Sequence, residues 1–153
     1  VMVNGIEKSK FLSFLNDKIE CKIRKANEYL ESIQESIRSE TKSTAGDKHD
    51  TTRELMQQER NKVAQNMSHQ LLAQKTIIEL RKSKSSKQIG FGSLIRTNSS
   101  WIYIGLSIGK VIYRDQDVLC VSPVSPLARA FESKTENQEV EYNGVVYSIE
   151  EVL

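Results

Sequence analysis

The chain has 153 residues, of which 38% are hydrophobic and 27% charged, and its formal net charge is +2. That length allows one ordinary domain or two small ones and excludes a large enzyme with an elaborate cleft. The charge is too weak to argue for nucleic-acid binding, and Cys21 and Cys120, without CxxC spacing or a histidine cluster, suggest neither a zinc site nor a disulfide framework.

Composition divides the chain. Between Ile6 and Ile89 there is no proline and one glycine, Gly46, whereas both prolines, Pro123 and Pro126, lie in the glycine-richer stretch from Gly90 to Gly144. Residues 1–87 carry 17 Lys and Arg against 12 Asp and Glu, and residues 88–153 carry 5 against 8, an asymmetry that suits a large partner with anionic features. The basic, serine-rich Arg81–Lys87 segment reads as a frayed helix end running into a linker, so modules are expected at 1–85 and 86–153. Val1 to Phe14 lacks the continuous apolar core of a signal peptide, and no apolar run is long enough to span a bilayer. The expectation is a soluble, cytoplasmic monomer in a reducing compartment with no membrane partner.

In the first module Leu12, Ile19, Ala26 and Ile33 recur every seven residues, with Asn16, Ile23, Leu30 and Ile37 four further on. This heptad seam predicts a helix from about Glu7 to Lys42, roughly 50 Å long at 1.5 Å per residue, with Asn16 helping to fix register. The return helix is less regular: Met56, Val63 and Ile77 make one row, and Ala64, Leu71 and Ile78 with Met67 broaden it. Together they predict an antiparallel two-helix coiled coil. Glu28, Glu31 and Glu35 among Arg24, Lys25 and Arg38 read as its solvated face; Cys21 and Tyr29 read as flanking residues, and His69 as an exposed helix residue.

The hairpin reverses in a small, polar stretch between Thr41 and Met56, with Gly46 placing the turn near Ala45 to Asp47. Thr51 and Glu54 have capping-box spacing, which predicts a second helix from about Thr52 and leaves Asp47 in the turn and Asp50 just before the helix. Turn and cap duty would account for both acids. The small residues Ser43 to Gly46 leave the carboxylates unshielded, however, and a narrow coiled coil can carry exposed carboxylates down a channel to a buried metal.

From Gly92 the pattern turns to strands at Ser93–Thr97, Trp101–Leu106, Lys110–Ile112, Val118–Val121, Glu139–Tyr142 and Val145–Ile149, with Asn143-Gly144 as a hairpin signal. Ser125-Pro126 starts a short helix through about Phe131. A small antiparallel sheet on one helix is expected, so that the fold class is α+β. Trp101, Tyr103, Tyr113, Phe131, Tyr142 and Tyr147 are spaced as core residues or cross-strand pairs.

The tip Gly46-Asp-Lys-His-Asp50, followed by Thr-Thr-Arg-Glu-Leu-Met, resembles the acidic tip of the Gre family of bacterial transcript cleavage factors, where the second acid is Glu. Three later segments, Gly92-Ser-Leu-Ile-Arg-Thr97, Ile104-Gly-Leu-Ser-Ile-Gly109 and Val121-Ser-Pro-Val-Ser-Pro-Leu-Ala-Arg-Ala-Phe131, look like that family's FKBP-like module. The family commonly continues with Leu-Gly-Lys and a Gly-Asp turn, whereas this chain has Glu132-Ser-Lys-Thr-Glu-Asn137.

The resemblance implies a non-catalytic elongation factor that binds RNA polymerase through its secondary channel. Asp47 and Asp50 would then hold a magnesium ion near the nascent RNA and stimulate hydrolysis of backtracked transcripts. The ion would be shared with the polymerase and not held tightly alone, since magnesium commonly takes one or two protein carboxylates and keeps other oxygens. The nearest alternative is a channel-binding regulator of the same architecture that does not stimulate cleavage. Asp50 is one methylene shorter than Glu, and Lys48 and His49 place positive charge between the acids. A prolyl isomerase or chaperone with a coiled-coil arm would need an apolar, aromatic-lined pocket that the sequence does not identify; a purely structural scaffold would make both aspartates replaceable.

Overall fold

Long runs without proline or glycine let a helix propagate once nucleated, and two such runs form α1 (Lys8–Lys42) and α2 (Asp47–Lys82). The computed structural model describes residues 5–42 and 47–153, and side chains outside 40–50. They run antiparallel: the Tyr29 hydroxyl donates to Glu59 Oε1 at 3.4 Å, and Arg81 Nη2 donates to Ser13 Oγ at 3.4 Å. All eight expected seam residues of α1, from Leu12 to Ile37, are buried or half-buried. Asn16 donates to Glu20 Oε1 one turn along its own helix, at 3.2 Å.

The return helix departs from expectation. Met56, Val63, Met67 and Gln70 are half-buried and Ile77 buried, but Ala64, Leu71 and Ile78 are exposed. Successive residues turn by about 100°, so positions 64, 71 and 78, each one residue past a member of the 63–70–77 row, point well off the inward side. The inward row is completed instead by Glu59 and Arg60, Ala73 and Gln74, and Leu80, which makes α2 a more polar partner than α1.

After α2 come β1 (Leu94–Thr97), β2 (Trp101–Ile104), β3 (Gly109–Tyr113), β4 (Gln116–Val121), α3 (Pro126–Phe131), β5 (Glu139–Tyr142) and β6 (Val145–Val152). The strands form one sheet in the order β3-β4-β2-β1-β6-β5. It is mixed, which corrects the expected antiparallel sheet. β2 and β4 pair in parallel, Trp101 opposite Val118 and Ile104 opposite Val121, because the tight β3–β4 hairpin inserts its second strand beside β2 and leaves β3 at the edge. Arg114 and Asp115 turn that hairpin at φ 50° and 64°, and Asn143 and Gly144 turn β5–β6 at 51° and 77°. Positive φ at both loop residues is the two-residue turn whose twist matches paired strands. Ser125 caps α3 as expected, its Oγ accepting from Ala128 N at 3.2 Å.

Alternation along β2 shows how the sheet is covered. Ile102 and Ile104 join Ile95, Phe131, Val140, Ile149 and Val152 in the cluster beneath α3. Tyr103 lies between them in sequence and so faces the other way. There the Phe11 ring meets Tyr103 edge-on at 5.5 Å and Tyr113 at 5.2 Å, and Phe14 packs 4.9 Å from Tyr113. A Cβ on Gly105 would fall 2.6 Å from Leu80 Cδ2, so any other residue at this approach of β2's end to α2 would force the buried Leu80 side chain to shift.

Two compact units result. One joins residues 1–14 to 76–153, and the other is the helical stretch 15–75. The starting turns of α1 and the closing turns of α2 therefore belong with the sheet, whose second face they bury. Among the described residues, no helix is long and apolar enough to cross a membrane.

Candidate functional site

The tip is built from the end of α1 and the start of α2. Helix α1 closes at Lys42 and α2 opens at Asp47, so the sharp turn expected at Ala45 to Asp47, with Gly46 as its left-handed residue, falls mostly on residues 43–46, outside the described residues. The second helix starts about five residues earlier than its capping-box signal, at Asp47 and not Thr52. Asp47 and Asp50 are thus positions of the first helical turn, neither in the turn nor ahead of the helix. Three residues apart, they are neighbouring positions on one side of α2. Their side chains lie outside the described residues.

Acidic residues are favoured in the first turn of a helix, beside its free amide groups, so the sequence at Asp47 and Asp50 is compatible with a start ahead of Thr51. Thr51 and Glu54, read as a reciprocal cap, are interior positions of α2 instead. Both are exposed, as is every residue from Thr51 to Leu55, and Leu55 leaves 60% of its surface uncovered. Below them Met56 and four residues of α1, Ser32, Glu35, Ser36 and Ser39, line a shallow depression. Among the described residues, no three His, Cys, Asp or Glu side chains gather as a metal-holding group.

The sheet-bearing unit carries a second concave feature, a cleft of about 510 Å³ between the β1–β2 and β3–β4 turns. Its lining is polar, and its donors are largely committed. Arg96 reaches Glu150 and Glu151, each at 3.3 Å, where a register shift in the β1–β6 pairing places two carboxylates near one guanidinium. Thr97 Oγ1 donates to the Ser100 carbonyl at 2.7 Å and accepts from the Ser99 and Ser100 amides. Trp101, the one aromatic residue in the lining, is buried. This is not the apolar, aromatic cradle that proline isomerisation requires.

The expected aromatic core is largely present: Trp101, Tyr103, Tyr113 and Phe131 are buried, and Tyr142 and Tyr147 pack half-buried against the cluster under α3. Cys120, opposite Tyr103 in the β2–β4 register, is 1% exposed, and burial pushes its thiol up to about 12. Cys21 is half-buried on α1, with Arg24 Nη2 3.8 Å from its sulfur.

Sequence reasoning missed Phe11 and Phe14, which fix the base of the helices to the sheet. A signal existed: both aromatics lie off the Leu12–Ile19 seam, and large apolar side chains beside a seam need a second surface to cover them. It also missed that Ser133 and Asn137 adopt left-handed backbone, at φ 66° and 68°. No family model and no curated protein matches this chain.

Proposed function

We propose that the protein is a transcription elongation factor that enters the secondary channel of RNA polymerase and stimulates cleavage of backtracked transcripts. In this reading the helical pair is a coiled coil, the sheet with α3 is an FKBP-like module that docks at the channel rim, and Asp47 and Asp50 supply the working carboxylates. One observation carries it: α2 begins at Asp47, so the two acids open a 36-residue helix, with four residues between it and the end of a 35-residue helix. Whatever a helical hairpin holds at its reversal is what it delivers into a narrow passage.

The left-handed Ser133 and Asn137 add support, since by resemblance they stand where the related module has its two glycines. Two carboxylate positions three residues apart are a donor set of the kind magnesium takes from a protein, and they are too few to hold it alone. When bound, the ion would activate the attacking water or stabilise the leaving oxygen, as metals do in two-metal phosphodiester hydrolysis. Asp47 and Asp50 would orient it, and the polymerase would provide the remaining ligands and the catalysis. The factor by itself hydrolyses nothing.

The test uses a backtracked polymerase complex with magnesium and reads short 3′ RNA fragments. Fragments that appear with the full chain and vanish with Asp47→Ala or Asp50→Ala, while the variants still bind polymerase, support the reading. Undiminished cleavage with both substitutions overturns it. A second reading, a channel regulator without cleavage activity, is favoured by Asp50, whose carboxylate reaches one methylene less far than Glu. Binding without fragments selects it, and Asp50→Glu would then create the missing activity.

A further inference from the structure

We draw no further inference here: the strongest candidate, the polar cleft between the β1–β2 and β3–β4 turns, carries nothing because its basic and hydroxyl groups are already engaged within the chain, Arg96 with Glu150 and Glu151 and Thr97 with Ser100, and no second observation makes its remaining carboxylates a ligand site.

Discussion

Replacing Phe11 with alanine should unfold the sheet more readily, although Phe11 belongs to a helix. The ring is fully buried and sits edge-on to Tyr103 and Tyr113, at 5.5 and 5.2 Å. Truncating a buried phenylalanine costs about 3–5 kcal/mol through lost transfer energy and the cavity left behind. Most of that loss should appear here, because Tyr103 and Tyr113 are anchored in paired strands and cannot collapse into the space. Against a usual domain stability of about 5–15 kcal/mol the loss is large.

Trp101, the only tryptophan, reports from β2 at 5% exposure. Urea unfolding followed by its fluorescence should shift to a lower midpoint by about 2 M for a slope near 2 kcal/mol per molar. Phe11→Leu keeps an aliphatic body and drops the ring pairs with Tyr103, Tyr113 and Phe14, worth about 0.5–1.5 kcal/mol each, so it should fall between the parent and alanine. A Phe11→Ala loss below about 1 kcal/mol, or a Trp101 transition that stays put while the helical circular dichroism moves, would refute the claim that the helix base is core for the sheet.

Three further outcomes are expected. Ser133→Gly should stabilise by about 1 kcal/mol in thermal or urea unfolding, because a left-handed φ of 66° strains a Cβ-bearing residue; Asn137→Gly should change less, since asparagine tolerates that region. Ser125→Ala removes the acceptor for the Ala128 amide and should cost about 1 kcal/mol, read as a lower urea midpoint. The buried Cys120 thiol should resist alkylation until the protein unfolds, while Cys21 reacts in the native state. The unfolded Cys120 thiol ionises from about 9 and the folded one only near 12, so its contribution is intact below pH 9 and lost as pH rises towards 12. Over that window Cys120→Ala should lose up to about 1.4 kcal/mol less per pH unit than the parent, measured by urea unfolding at stepped pH.

Much of this was readable along the chain, because local patterns act over few residues. The seven-residue rhythm from Leu12 to Ile37 specified one continuous buried stripe, Ser125-Pro126 specified the start of α3, and Asn143-Gly144 specified a tight hairpin, each through backbone or capping chemistry contained within a turn or two. The acids at 47 and 50 stood out for the same reason, as charge concentrated where the helical pattern breaks.

What periodicity could not decide was which neighbour each surface would meet. Leu71 and Ile78 look as apolar as Val63 and Ile77, and only the direction of α1 separates the covered row from the exposed one. The parallel β2–β4 pairing depends on where a hairpin inserts, and no single strand's residues encode that. Phe11 acquires its role because Tyr103 and Tyr113, about a hundred residues away, present rings beneath it. Short-range chemistry chose the elements of this protein; long-range burial, which rewards whichever apolar surfaces can be covered together, chose their partners.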